Sequence, residues 1–122
     1  MNEVVTAETI KKLTAPILEK GFAFEYFYEK GGDSSCVYIC RYRKGKDFFD
    51  WREVSGGEEI SFVVYANGNY DFPNLKTLYK KEYTRFQIKH FLKKASVLAR
   101  REFMAQLLLR ELENPSFFGI IL

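Results

Sequence analysis

Residues 35–54, SCVYICRYRKGKDFFDWREV, alternate apolar and polar side chains on both sides of a Lys-Gly-Lys turn. Alternation of period two puts successive side chains on opposite faces of a strand, so the stretch reads as a hairpin. A two-residue loop at Lys44-Gly45 would pair Arg43 with Lys46. Tyr38, Cys40 and Tyr42 then join Phe49 and Trp51 on one face, and Arg41, Arg43, Asp50 and Arg52 collect on the other. A slip of one residue would mix these sets, so the faces are strongly specified.

Working outward, residues 22–29 alternate with Phe22, Phe24, Tyr26 and Tyr28 on one face, and residues 30–33 form a turn. Residues 59–66 alternate through Ile60, Phe62 and Val64, following a turn at 55–58. Asn67-Gly68 is a strong hairpin signal, predicting a short strand over 69–72 that Pro73 ends. Before the strands, Ile10, Leu13, Ile17 and Leu18 follow a helical period, with Thr6 as the expected N-cap and Gly21 closing the helix. Pro16 demands a kink or a restart with proline in a first turn.

From Asn74, a good N-cap, to Glu113 there is neither glycine nor proline, which predicts helix. Leu75, Leu78, Tyr79, Tyr83 and Phe86 fall on one side, but Ile88, Phe91, Leu92, Ala95, Leu98, Ala99 and Phe103 fall nearly opposite. One straight helix cannot serve one core with both faces, so either its two halves contact different bodies or, the preferred reading, it breaks near Thr84, where Thr-x-x-Gln resembles a capping box. The apolar tail, PSFFGIIL over 115–122, is expected to fold back or to meet a second copy as a homodimer. Short hairpin turns leave no room for crossover helices. The expected fold is therefore one α+β domain over residues 1–122. It has an N-terminal helix, an antiparallel meander of four to five strands, and C-terminal helices on one face of the sheet.

The 122 residues include 47% hydrophobic, 17% aromatic and 29% charged, enough to bury a core. No apolar run approaches the roughly 20 residues that span a bilayer. The start, Met1 to Thr6, lacks the basic and apolar regions of a signal peptide, so a cytoplasmic protein without membrane contact is expected.

Catalytic signals are missing. Two cysteines and one histidine, His90, fall short of a four-ligand zinc site. As strand residues, Cys36 and Cys40 would lie roughly 13 Å apart at about 3.3 Å per residue, too far for a disulfide. The glycine pairs Gly31-Gly32 and Gly56-Gly57 lack the phosphate-binding patterns, and the acids Asp47, Asp50, Glu53, Glu58 and Glu59 read as a solvated strand face. No enzyme activity, cofactor or metal is expected.

One asymmetry points to a partner. The net charge of +3 conceals nine basic residues against the single acid Glu82 between Leu75 and Arg101, a local +8, with −5 over the remainder. On one continuous helix Lys89, Lys93 and Arg100 would fall within about 40° of one another, with Arg85 nearby. Such a face suits acidic protein or phosphate. The sheet face of Arg41, Arg43 and Arg52 adds Phe48, a combination on which single-stranded bases can stack. The helix-plus-meander outline resembles bacterial toxin-neutralising immunity proteins, with no shared motif. That class is often acidic, and the basic stretch here departs from it. The leading expectation is a protein-binding module, immunity- or regulator-like. The first alternative is a nucleic-acid-binding regulator using the helix over 75–101. The second is a small-ligand binder or enzyme with a pocket between sheet and helices.

Overall fold

The computed structural model describes residues 3–30, 36–54 and 59–122. Five strands form one antiparallel sheet in sequential order: β1 (Ala23–Lys30), β2 (Cys36–Lys44), β3 (Asp47–Val54), β4 (Glu59–Ala66) and β5 (Asn69–Asp71). Helices α1 (Glu3–Leu13) and α2 (Ala15–Leu18) precede it; α3 (Leu75–Leu78), α4 (Lys80–Lys89) and α5 (Val97–Glu111) follow. A final hairpin joins β6 (Ser116–Phe117) to β7 (Ile120–Ile121). This is the expected α+β meander with helices on one face. The turns expected at 30–33 and 55–58 fall largely or wholly outside the described residues.

The β2–β3 hairpin sorts its faces as the alternation requires, with Cys40 opposite Trp51 and Tyr42 opposite Phe49. Its loop, however, is Gly45-Lys46, and Lys44 pairs with Asp47. The expected Arg43–Lys46 pairing is off by two residues, a shift that leaves each residue on its face. Of the two loop residues only Gly45 has positive φ, +64°, the pattern of a II′ turn with glycine first. Asn67-Gly68 makes the expected turn, with φ of +55° and +80°.

At the N-terminus the helix starts earlier than Thr6, which lies inside α1 and is buried. The break comes at Thr14, and Pro16 stands in the first turn of α2, where its missing N–H costs nothing. The Thr14 hydroxyl donates to the Ile10 carbonyl at 2.7 Å. That leaves the buried Tyr42 hydroxyl as the donor to Thr14, so the helix break is bonded to β2. Burial raises the Tyr42 phenol far above its ordinary pKa, keeping it a neutral donor.

The core lies between the sheet and the helices. Tyr42, Phe49, Trp51, Phe62 and Val64 meet Ile10 and Ile17 from the N-terminal helices, and Leu75, Met104 and Leu108 from the C-terminal ones. Phe117 and Ile120 join them, so the apolar tail folds back into its own chain's core, while Ile121 stays exposed. Phe117 meets Phe22 and Phe49 edge-on, at centroid distances of 6.1 and 5.0 Å.

Two acids expected on a solvated face are buried instead. Glu53 is 0% exposed and accepts two hydrogen bonds from Arg101 of α5, at 2.8 and 2.7 Å, and one from the Trp51 indole at 3.0 Å. Asp50, on the other face, takes both nitrogens of a forked Arg41 contact at 2.8 and 2.9 Å. The error has a plain cause: Glu53 is in phase with Phe49 and Trp51, hence on the core side. Cys40 lies on that same face as an unbridged thiol, its pKa pushed up to about 12 by burial and by the negative Glu53 nearby. In a Cys36→Ser variant the thiol of Cys40 should therefore not react with a disulfide reagent at pH 8 until guanidinium unfolds the chain. Stoichiometric reaction of the native protein would contradict the closed core.

Candidate functional site

The expected long helix over 74–113 is three helices, and the breaks determine what the surface presents. Asn74 caps α3, its side chain accepting from the amides of Lys76 and Thr77. The chain interrupts at Tyr79 and again over residues 90–96, and the second interruption falls after Thr84. Thr84 sits within α4, its hydroxyl turned to the Lys80 carbonyl at 2.8 Å, so it is not a cap. The cap is Ser96, which accepts from the Ala99 amide at 3.0 Å and opens α5.

No residue of α4 is fully buried. Tyr83 and Phe86 are half-buried, and Phe86 stacks on Phe103 of α5 with centroids 4.3 Å apart and planes 11° apart. His90 closes α4 with its amide bonded to the Phe86 carbonyl and its ring 4.6 Å from that of Phe86. Beyond this, Glu82 meets Arg110 at 3.2 Å, and Arg110 lies over Tyr79 at 4.8 Å. Burial pushes the Tyr79 phenol upward, with Glu111 adding to it.

The break at 90–96 has a marked consequence for the apolar residues there. Ile88 is 70% exposed, Phe91 82%, Leu92 94% and Leu98 51%, all within residues 88–98. The periodicity suggested a second buried face, but it is split: Ile88, Phe91, Leu92 and Leu98 point outward, whereas Ala95 is buried and Phe103 packs against the core. Arg85, Lys89, Lys93 and Lys94 surround these residues in the chain, and Arg85, Lys89 and Lys93 are themselves exposed.

The seven basic candidates are not one surface. Arg85 and Lys89 line a groove between α4 and α5 that also holds Glu82 and Glu102. Lys93 lies in the loop, and Arg100 lines a separate cleft of ≈ 480 Å³ with Lys76 and Lys94. The 40° arc assumed a continuous helix and does not form. Arg101, counted in the local +8, turns inward to Glu53.

Arg41, Arg43 and Arg52 stay together on the sheet face away from the helices, as the register requires. Two of them are already engaged: Arg41 with Asp50, which raises its pKa further, and Arg43 with Glu25 at 2.7 Å. The Arg41 guanidinium lies 4.0 Å from the Phe48 ring centre. Tyr65 stacks on that ring at 5.4 Å and Tyr70 meets it edge-on at 6.3 Å. The aromatic faces thus have occupants from the chain itself. Arg52 stands opposite Ser61 of β4 and lines a smaller hollow of ≈ 270 Å³.

Among the described residues no group of three or more His, Cys, Asp or Glu could hold a metal ion, and no helix is long and apolar enough to cross a membrane. In comparisons with protein-family models, curated proteins and solved structures, nothing matches this chain.

The Glu82 tie is pH-dependent. Its own backbone N–H and Arg110 hold the Glu82 carboxyl below the ordinary range. A lowered folded-state pKa means the contribution is complete above the unfolded value of 4.5 and is lost as pH falls through the folded one. Hydrogen-exchange protection of α4 should therefore drop at acid pH before that of β3. Equal loss in both elements would contradict a tie local to α4.

Proposed function

We propose that this protein is a cytoplasmic, non-catalytic binding module that docks another protein through the α4–α5 corner. The observation that carries the reading is the outward apolar group Ile88, Phe91 and Leu92. Isolated exposed apolar residues are ordinary, but a phenylalanine and a leucine side by side and almost wholly in solvent form an anchor, the kind of residue that dominates interface energetics when a partner covers it. The surrounding Arg85, Lys89 and Lys93 select a partner with acidic residues around an apolar hollow, because complementary charge steers encounter and rejects wrong partners.

The alternative, a nucleic-acid regulator, draws on the same lysines and arginines. Phosphate binding uses the charge but has no call for exposed Phe91 and Leu92, which is why the protein partner is preferred. The arginine face of the sheet supports neither reading strongly, since Arg41 and Arg43 are paired within the chain. A homodimer through the C-terminal segment would rely on Ile121, because Phe117 and Ile120 are used in the core.

A pull-down comparing the tagged wild type with a Phe91→Ser/Leu92→Ser variant, with and without nuclease, tests the proposal. The wild type should retain one protein through nuclease treatment and moderate salt. The variant, with unchanged near-ultraviolet circular dichroism, should lose it, each anchor being worth about 2 kcal/mol. Capture by both proteins alike would remove the corner from the interface. Capture that collapses with nuclease would move the function to nucleic acid, and co-sedimentation of the wild type with phosphatidylserine vesicles would make the corner a membrane contact.

A further inference from the structure

We propose that β4 takes a short extended peptide of a partner protein, which adds to the sheet as a strand where β5 stops and sets an acidic side chain against Arg52. β4 pairs with β3 over seven residues, Glu59 to Tyr65, but with β5 over only three, Val64 to Ala66. Among the described residues its far edge is therefore open from Glu59 to Val63. Ladder bonds alternate along an antiparallel strand, and the residues flanking a two-residue loop exchange both of theirs. Ala66 faces Asn69 in that way across Asn67-Gly68, so Val64 also turns its amide and carbonyl toward β5. The same alternation points the amides and carbonyls of Phe62 and Ile60 at the open edge. Counting in from the Gly45-Lys46 loop gives the same phase. β5 stops for a chemical reason. Continued in register, Pro73 would stand opposite Phe62, and it has no N–H to give that carbonyl. The chain leaves to α3 instead, and among the described residues no backbone hydrogen bond joins residues 72–76 to Phe62 or Ile60.

The space left between β4 and residues 72–76 is the hollow of ≈ 270 Å³. Leu75 and Met104 give it an apolar side toward the helices, and Phe72, 68% exposed, stands at its rim. Arg52 lines it from one strand further in, directly opposite Ser61, whose small side chain a long one can cross. Of the two cations there, Lys76 lies over the Tyr83 ring at 5.3 Å, whereas the Arg52 Nε is buried with no hydrogen-bond partner. A buried donor of this kind costs free energy until an acceptor reaches it. Among the described lining residues Glu59 is the one acid, at the far end of the open stretch.

These features define the ligand. A peptide residue opposite Ser61 shares its face with Arg52, so an acidic side chain there meets the guanidinium. Its two neighbours, opposite Phe62 and Ile60, fall on the core side, where Leu75 and Met104 suit apolar side chains. Strand addition draws affinity from main-chain bonds and specificity from alternate side chains. The other long edge, β1, carries Glu25, Glu29 and Lys30, charges that deter pairing, whereas residues 60–63 carry none. Neither Ile88 nor Phe91 nor Leu92 lines the hollow, so this site does not rest on the docking corner.

A fluorescein-labelled pentapeptide, threonine–valine–glutamate–valine–threonine, tests it by polarisation against the full chain. It should bind one-to-one. N-methylation of the first valine, which would lie opposite Phe62, removes one donor while keeping every side chain, and should weaken binding about tenfold. Glutamine in place of the glutamate should weaken binding about fivefold to wild type and leave binding to Arg52→Gln unchanged. Hydrogen exchange of the Ile60 and Phe62 amides should slow on saturation, while those of Ser61 and Val63, already in the β3 ladder, should not change. Undiminished binding of the N-methyl peptide overturns the proposal, as does an equal loss from the glutamine change in wild type and Arg52→Gln. So does protection that appears along β1 instead of β4, or a wild type that binds no peptide at about 1 mM. It is equally overturned if Phe91→Ser/Leu92→Ser abolishes binding, which would place the peptide on the corner.

Discussion

A carboxylate with no exposure to water, at the end of a central strand, must be neutralised and hydrogen-bonded or the fold pays several kcal/mol for it. Glu53 meets that constraint with the two nitrogens of Arg101, 48 residues away, and with the indole of Trp51 two residues back on the same face of β3. α5 is placed so that Arg101 satisfies it. Arg101 is the fifth residue of α5, so pointing it at the sheet settles the rotation of the helix. Met104 and Leu108 then enter the core, Arg100 reaches the cleft, and Phe103 is left to stack on Phe86. A buried pair of this kind adds little net stability over an apolar replacement; what it supplies is a unique arrangement.

The two faces of the sheet consequently differ in what they offer a partner. On the face away from the helices, Arg41 and Arg43 meet Asp50 and Glu25 and cover Phe48, while Tyr70 stays largely in solvent. On the helical side α4 is held by a stack and an exposed ion pair, with the cleft beneath it and the apolar corner at its end. Elements with few buried contacts open at the low end of a protein's range of local stability, where binding surfaces that must adapt are found.

Much of the fold was legible because local chemistry decides it. The alternation over 35–54, the Asn67-Gly68 turn, the restart at Pro16 and the Asn74 cap each depend on a few neighbouring residues. What escaped needs contacts distant in sequence. The hairpin register differed by two because both registers keep the faces sorted, and only the positive φ of Gly45 separates them. The helix break was misplaced because Thr84 and Ser96 are both plausible caps, and the packing of α5 on the sheet favours Ser96. Basic composition over 75–101 was visible, but its division among groove, loop and cleft was not, since a helical projection assumes the helix continues. Glu53 could have been found: an acid in phase with Phe49 and Trp51 requires a buried partner, although nothing local marks Arg101 as that partner.

The double-mutant cycle of Glu53→Gln and Arg101→Met, read by denaturant unfolding, tests most directly whether the buried pair sets α5 on the sheet. Each single change should cost about 3–5 kcal/mol by stranding the partner, and the double variant should cost no more than either single one. Additive losses would mean that Glu53 and Arg101 contribute independently, and that the packing of Met104 and Leu108 alone places α5.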